Sequence, residues 1–214
     1  MTITGHAAGR PRDPEVDRRI TQAAVALFGE AGWAGFSLEA VARRAGVGKA
    51  SIYLRWQTKE QLLTDALAAQ VANVTDGDTG TLRGDLVHLA RQLLELYVGD
   101  TNPAVLRLGV EAATIPGVAQ RWAELRESQV MAARAMVRRG IRRGDVPADT
   151  SVTLLLDTLC GGVLMHVIST PAPLRDQLVA DADGYANRIV DFLLRSVLDT
   201  GALDTGTPTG TGTG

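Results

Sequence analysis

The chain has 214 residues with 22 basic and 24 acidic side chains, and its formal net charge of −2 excludes a uniformly basic protein that coats nucleic acid. Its single cysteine, Cys160, excludes an intrachain disulfide. The sequence predicts neither a signal peptide nor a run of about 20 apolar residues that could span a membrane, so we expect a soluble, cytoplasmic protein with no membrane partner.

The first predicted helix ends at Gly32 and follows a Gly/Pro-containing arm over residues 1–13. Arg10 and Arg12 in this arm could reach a DNA groove or a phosphate, but a frayed tail is an equal alternative. The helix is amphipathic, since its apolar residues recur every three or four positions, and it suits a brace behind the elements that follow. These apolar residues are Ile20, Ala23, Ala24, Leu27, Phe28 and Ala31.

Two short helices joined by a glycine-bearing turn are predicted next. Ser37 is placed to cap the first of them, and Gly46 can adopt the left-handed backbone that a tight reversal needs. The second helix is predicted over residues 49–56. This is the spacing of a helix-turn-helix motif, so residues 14–57 predict a small three-helix unit, called the head below. The polar side chains that lie off its apolar seam are Lys49, Ser51, Tyr53 and Arg55.

The helix after the head is predicted to open at Thr58, with Gln61 as its capping-box partner. Lys59 lies in its first turn, where a positive charge opposes the helix dipole at a cost of roughly 0.3–1 kcal/mol. A phosphate bound at that helix end would explain the lysine. The chain has two lysines, and both of them, Lys49 and Lys59, fall in this region.

The segment from about Arg18 to Leu67 resembles the DNA-binding domain of the TetR family of bacterial regulators. The match rests on the run FSLEAVARRAGVGKASIYLRWQTKEQLL, with its LEAVA-like helix, AGV turn, tyrosine and T-K-E-x-L start of the next helix. The resemblance implies an all-α protein in which the head is followed by a helical domain over residues 58–199. That domain would bind a small-molecule effector and form a homodimer that reads a palindromic operator in double-stranded DNA.

The resemblance also implies a role for individual residues of the motif. The residues expected to face base edges are Lys49, Ala50 and Ser51. The residues expected to hold phosphates are Ser37, Tyr53, Arg55 and Lys59. Where the family commonly carries a second aromatic residue or histidine after the tyrosine, this chain has Leu54, which loses one hydroxyl for a phosphate.

Each of these side chains has a plainer alternative. Tyr53 could be a core aromatic, Arg55 a solvated charge and Ser51 a neutral surface residue. Together, and in register with the turn, they favour DNA contact. The charge distribution agrees with DNA contact. Residues 1–70 hold nine basic and seven acidic side chains and so carry a net charge of +2, whereas the rest of the chain carries −4.

The second domain is predicted to be helical throughout. A loop over residues 75–81 precedes five helical patterns, and no convincing alternating strand pattern follows. With the helix that opens at Thr58 these make a six-helix domain, and the Gly/Thr tail over residues 200–214 is predicted to be disordered. The five helices are predicted at 82–98, 103–114, 117–141, 149–168 and 174–198.

The helix predicted over residues 149–168 is apolar on almost every side and so needs burial on two faces. One face can meet its own domain and the other a second subunit, although burial inside a monomer is the alternative. Gly161 and Gly162, which cost roughly 1 kcal/mol each inside a helix, make sense where another backbone approaches. The family resemblance likewise points to a dimeric four-helix bundle. The matching stripe on the last helix contains Tyr185, Ile189 and Phe192.

The effector site is less sharply indicated. Trp122 and Gln129 share a largely apolar stripe, where Gln129 needs a polar partner from a ligand, from the backbone or from water. His166 could contact the ligand or be a hydrogen-bonded core histidine. Tyr97 could close the pocket or merely pack. An aliphatic lining with few charges favours apolar or aromatic effectors.

The sequence predicts no catalytic residue, metal site or cofactor. It contains no HExxH, CxxC or GxSxG motif, and Cys160 and His166 point to different sides of one helix. The arginines between residues 134 and 143 indicate a solvated face that complements a helix C-terminus. We therefore expect a ligand-responsive regulator, with repression as the default. The alternative is a helical ligand-binding or scaffolding dimer that does not read DNA.

Overall fold

A computed structural model of the protein describes residues 13–70, 75–99 and 101–198, and these residues form helices and loops without any β-strand. Both the N-terminal arm before residue 13, with Arg10 and Arg12, and the Gly/Thr tail lie outside the described residues. The α-helices are α1 (Pro14–Gly35), α2 (Leu38–Ala45), α3 (Lys49–Tyr53), α4 (Lys59–Gln70), α5 (Leu82–Val98), α6 (Asn102–Glu111), α7 (Val118–Arg143), α8 (Val152–Ser169), α9 (Arg175–Ala180) and α10 (Ala182–Leu198). Two 3₁₀ turns, Ala112–Thr114 and Ala172–Leu174, complete the order.

Most helix boundaries agree with the sequence-based prediction to within a few residues. The first helix was predicted to end at Gly32; the structure interrupts it there, with Gly32 at φ 64°, but one further turn continues α1 to Gly35. The second helix of the turn motif is shorter than predicted, since α3 ends at Tyr53. Thr58 caps α4 by accepting the N–H of Gln61 at 3.2 Å.

The prediction of a single helix over residues 174–198 is wrong. The chain forms α9 and α10 instead, and Asp181 separates them. Asp181 donates its N–H to the carbonyl of Gln177 at 3.0 Å and accepts the N–H of Tyr185 at 2.8 Å, so it ends one helix and caps the next. Its carboxylate folds over Gly184, where a Cβ would lie 2.2 Å from Asp181 Oδ1. Aspartate is a favoured helix N-cap, so the break has a local cause in the sequence.

The first core joins the head to elements much later in the chain. It contains buried residues of α1 to α4 together with Leu96 of α5, residues of α6 and the beginning of α7. The predicted domain boundary at residues 57 and 58 therefore does not divide the hydrophobic packing. The largest fully buried side chains of the first core include Phe28, Phe36, Ile52, Leu62, Leu63, Leu108 and Ile115.

The second core lies between α5, α8, α10 and the C-terminal half of α7. α8 is also apolar outside this core. Among the described residues it is the helix long and apolar enough to span a membrane, with mean hydropathy 1.7 over 18 residues, which departs from the expectation of no such run. Only 28% of that helix is buried within one chain, so much of its apolar surface remains uncovered.

Two of the arginines that indicated a solvated face belong instead to an ion-pair cluster. Arg139 and Arg143 both contact the carboxylate of Asp85, at 3.2 and 3.1 Å, and Asp85 is fully buried. The other oxygen of Asp85 accepts the backbone N–H of Thr79 at 2.7 Å and its hydroxyl at 2.8 Å. The cluster pins the loop before α5 to the end of α7. Nothing in the arginine spacing indicated these partners, because they come from a different part of the chain.

Candidate nucleic-acid interface and effector cavity

The turn between α2 and α3 is built as the sequence predicts. The Ser37 hydroxyl accepts the N–H of Ala40 at 3.1 Å and so caps α2. Gly46 ends that helix in the left-handed conformation at φ 65°, and the following N–H of Val47 bonds to the carbonyl of Ala42 at 3.0 Å. Ile52 is fully buried between the helices. α3 is thereby held against α2 with one face turned outward.

The outward face of α3 carries the side chains that we expect at base edges. Lys49 and Ala50 are exposed, and Ser51 is half-buried. Lys49 and Tyr53 are four residues apart and so lie on the same side of the helix. Tyr53 is 47% exposed, which excludes the alternative of a core aromatic. The structure thus brings these four residues together on one surface.

A residue that the sequence reasoning did not assign to the interface lies on this surface as well. Glu39, near the start of α2, accepts a hydrogen bond from the Tyr53 hydroxyl at 2.5 Å. This bond, with a contribution from the nearby Lys49 ammonium, lowers the pKa of Glu39, and the same bond raises the pKa of Tyr53. Glu39, Lys49 and Tyr53 form the Glu39 cluster. The sequence signal was an acidic residue at the second position of the helix that precedes the turn.

Arg55 and Lys59 were expected at phosphates, and the structure shows their charged groups in contact with other parts of the head. Arg55 pairs with Asp17 of α1 and donates to the carbonyl of Ser51 at 2.8 Å, with only 14% of its side chain exposed. Lys59 Nζ lies 3.7 Å from the centroid of the Trp33 ring and 3.4 Å from the carbonyl oxygen of Trp33. These contacts explain a lysine in the first turn of α4 without an external anion. Both residues hold the head together.

A cavity of about 250 Å³ opens between α4 and the first half of α7. Trp122 and Leu125 from α7 and Leu67 from α4 give it an apolar wall. Arg121 and Glu124, which pair with each other at 3.3 Å, lie at the same cavity. Its lining is therefore mixed in polarity, and it can hold a compact aromatic or apolar body with one polar end.

The four residues predicted to bind an effector are not brought together. Trp122 lines the cavity, but Tyr97, Gln129 and His166 are absent from its lining. Tyr97 is half-buried where the first and second cores meet, and burial raises the pKa of its hydroxyl. Gln129 is half-buried one turn beyond the cavity-lining Leu125. The residues on α4 that do line the cavity were missed because the sequence does not show which helix faces α7.

His166 packs against the last helix. Its ring stacks on Tyr185 with centroids 3.7 Å apart and planes 8° from parallel, and burial lowers the pKa of the imidazole. The Tyr185 hydroxyl donates to the carbonyl of Gly162 at 3.2 Å. A Cβ at Gly162 would lie 2.8 Å from Ile189 Cδ1. Gly162, Tyr185 and Ile189, predicted at a dimer interface, thus form a seam between α8 and α10 within one chain.

Gly161 and Phe192 remain free for a subunit contact. A Cβ at Gly161 would meet nothing within 4 Å in its own chain, and Phe192 is 63% exposed. The sequence reasoning missed three exposed apolar residues on the same side of α8. They recur with Gly161 at spacings of seven, four and three, which marks one helix face. The three residues are Leu154, Met165 and Ile168. Together with Gly161 they are called the α8 stripe.

The break in α1 is joined to α6 by two charged side chains. At Gly32 the backbone turns out of its helical path, which takes the Trp33 N–H out of line with the Gly29 carbonyl. Glu111 accepts the Trp33 N–H at 2.9 Å, and Arg107 donates to the Gly29 carbonyl at 2.7 Å. Arg107 also pairs with Glu111 at 2.9 Å. We call this contact the α1–α6 junction.

Small residues make the α1–α6 junction close. A Cβ at Gly29 would lie 2.9 Å from the backbone nitrogen of Ala104, and one at Gly32 would lie 2.8 Å from the Arg107 guanidinium. The hydrogen bond from Trp33 lowers the pKa of Glu111, so its carboxylate is charged at neutral pH. α6 therefore packs directly on the head.

Comparison with known proteins agrees with this architecture. Residues 20–66 match the model for bacterial regulatory proteins of the tetR family, and residues 76–191 match the tetracyclin repressor-like C-terminal domain. The HTH-type transcriptional regulator AqdR of Rhodococcus erythropolis is 34% identical over 173 residues, which cover 79% of this chain and 83% of that protein.

Two solved structures share the fold. MexZ, a key repressor responsible for antibiotic resistance in Pseudomonas aeruginosa, superposes with a TM-score of 0.71 at 19% identity, covering 89% of this chain and 98% of that one. FadR from Bacillus subtilis, solved in complex with stearoyl-CoA, gives a TM-score of 0.62 at 20% identity over 82% of this chain and 96% of that one. The predicted all-α fold is confirmed, and the matched proteins are regulators rather than enzymes. The chain belongs to the TetR family of bacterial transcriptional regulators.

Proposed function

We propose that the protein is a cytoplasmic, homodimeric transcriptional repressor that binds a palindromic operator and is released by a small-molecule effector. The observation that carries this proposal is the outward face of α3, where Lys49, Ala50 and Ser51 open the helix on a rigid turn. A short helix presented in this way fits the major groove, with its first residues at base edges.

The role that we propose for each side chain follows from its exposure to solvent. Lys49, Ala50 and Ser51 read bases, and the Ser37 hydroxyl, while it caps α2, can donate its hydrogen to a phosphate. Arg55 and Lys59 act mainly by positioning α3 and α4. An ammonium has three donors and Lys59 directs two of them at carbonyls, so one remains for a phosphate.

The α8 stripe and Phe192 support the homodimer. An apolar face of this extent on a monomer would be a liability in water, and a second copy of the chain presents the same face in return. Two heads fixed by such a contact read two half-sites about 34–36 Å apart, one helical turn of DNA. The apolar surface of α8 then belongs to a subunit interface rather than to a membrane span.

The cavity between α4 and α7 is the proposed effector site. Its Trp122 wall suits an aromatic or apolar body, and Arg121 offers a cation to a polar end. α4 follows the head directly, while the start of α7 packs with α6 in the first core. An effector that separates α4 from α7 would therefore shift the head against α6. Such a shift changes the distance between the two heads of the dimer and weakens its hold on the operator.

Selection from random double-stranded DNA tests the proposal. The parent protein is expected to enrich a palindrome. A Lys49→Ala/Tyr53→Ala variant is expected to enrich none, because it loses two exposed contacts of one helix face without disturbing the core. Unfolding curves of the two proteins provide the check that both heads are folded. If the parent enriched no sequence even at low salt, the helical ligand-binding or scaffolding dimer would be the better description.

The α1–α6 junction makes a separate prediction for the head. Arg107→Ala removes hydrogen bonds to two carbonyls of α1, and such charge-assisted bonds contribute about 1.5–3 kcal/mol. We expect backbone amides of residues 30–36 to exchange with solvent about tenfold faster or more, measured by hydrogen exchange. Arg121→Ala, which breaks a surface pair on α7, is the matched control. Equal exchange in the parent and Arg107→Ala would mean that the junction does not hold α1.

A further inference from the structure

The Glu39 cluster places a carboxylate on the surface that the proposed function turns toward DNA. Glu39 lies against the side of α3 that Lys49 and Tyr53 share, and its oxygen is fixed by the Tyr53 hydroxyl at 2.5 Å. Tyr53 is 47% exposed, so the cluster faces solvent rather than the core. A negative charge at this position needs a physical account, because phosphates repel it.

The chemistry of a carboxylate limits what it can contact in a groove. An ionised carboxylate only accepts hydrogen bonds. In the major groove guanine presents two acceptors and thymine presents one acceptor and a methyl group, so both reject it. Cytosine presents only its N4 amino donor, whereas adenine combines a donor with an acceptor. Cytosine is therefore the base that a fixed carboxylate matches best.

We propose that Glu39 is a specificity-determining residue that accepts a hydrogen bond from the amino group of one cytosine in each operator half-site. Tyr53 is its positioning residue, since its hydroxyl holds the carboxylate toward α3. This inference rests on the proposed function and adds to it the identity of one base that the protein reads.

The proposal changes the role expected for Tyr53. A phenol has one O–H, and while it donates to Glu39 it cannot donate to a phosphate. Lys49 remains free to contact a base or a phosphate, and its charge compensates that of Glu39 where the two face the DNA together. The cluster thus replaces a nonspecific phosphate contact with a sequence-reading group.

The test compares the motifs that the parent and Glu39 variants select from random double-stranded DNA. Glu39→Ala is expected to lose the cytosine preference at one position of each half-site, a change of about tenfold per half-site. It should also bind noncognate DNA more tightly, because a charge that phosphates repel is gone. Glu39→Gln is expected to move the preference at that position from cytosine to adenine, since an amide offers both an acceptor and a donor.

Two further variants separate the proposed role from simpler ones. Tyr53→Phe is expected to weaken the preference at the same position as Glu39→Ala, whereas loss of a phosphate contact would weaken binding to all sequences equally. Glu60→Gln, which removes one negative charge from the first turn of α4, is the matched control and should leave the motif unchanged. Thermal unfolding of each variant establishes that the head is intact.

The outcomes distinguish the inference from the proposed function. The parent and Glu39→Ala could select the same palindrome, with uniformly tighter binding by the variant. That result would be consistent with the proposed repressor function and would overturn the base-reading role of Glu39. Enrichment of no sequence by the parent would overturn both. A cytosine lost in Glu39→Ala and exchanged for adenine in Glu39→Gln would establish the contact.

Discussion

A Met165→Asp substitution is expected to convert the proposed dimer into a monomer and to weaken operator binding by roughly 10²–10⁴-fold. Met165 lies in the middle of the α8 stripe and is 58% exposed, so the single chain tolerates the change. In a symmetric dimer it would place two carboxylates in an apolar contact, where each lacks a partner. The loss of one head from the operator then removes the gain of bivalent binding.

Light scattering at several protein concentrations measures the first effect, and titration of a palindromic operator measures the second. Val110→Asp is the matched control, because Val110 is 80% exposed on α6, outside the α8 stripe. Gly161→Leu provides an independent variant. Its side chain meets open space within its own chain, so it harms the protein only where a second subunit approaches. A dimer that survives both Met165→Asp and Gly161→Leu would contradict the assignment of this face.

An Asp85→Asn substitution is expected to lower the free energy of unfolding by about 3 kcal/mol, as found for loss of one partner in a buried ion pair. The amide can still accept the Thr79 N–H, but its NH₂ group would face the guanidinium groups of Arg139 and Arg143. Denaturant unfolding at neutral pH measures the difference. Asp78→Asn is the matched control, since Asp78 contacts the same arginines while exposed, and its effect should stay below about 1 kcal/mol.

The pH dependence of this difference has a defined sign. Burial by itself raises the pKa of Asp85, but hydrogen bonds from Thr79, Arg143 and Arg139 outweigh it and hold that pKa below its usual value. The stabilisation is therefore fully present above about pH 4, near the pKa of an unfolded aspartate. It is lost as the pH falls through the lower pKa of the folded state. Curves of parent and Asp85→Asn that stay parallel down to pH 2 would contradict the role of the charged carboxylate.

The head was predictable because its signals are local. The cap at Ser37, the left-handed Gly46 and the break at Gly32 each depend on residues within one turn, and the structure has all three. The outward side of α3 followed from the burial of Ile52, which the apolar spacing already indicated. The break at Asp181 was equally local, but the apolar stripe through it suggested one continuous helix.

The contacts that the sequence did not reveal join distant parts of the chain. Arg55 pairs with Asp17, which lies 38 residues away, and Lys59 contacts the carbonyl of Trp33, which lies 26 residues away. Neither contact could be predicted from the spacing of residues in the sequence. Gly162 was expected to face another subunit, but Ile189 of its own chain explains it. The sequence showed that α8 needs burial on two faces without showing which residues belong to which. The positions of most helices could be predicted from the sequence, whereas the pairing of one helix with another could not.

The packing of α6 on α1 has a consequence for anyone who recombines such proteins. A chimera that joins a foreign head at Gln70 would keep this chain's α6 and place it against an unrelated first helix. Where the foreign helix lacks a break like that at Gly32, Arg107 and Glu111 would face backbone groups already paired within that helix. A residue larger than glycine at position 29 would block the close approach of α6. The exchangeable unit is therefore discontinuous in sequence, and it comprises residues 13–70 together with residues 102–118.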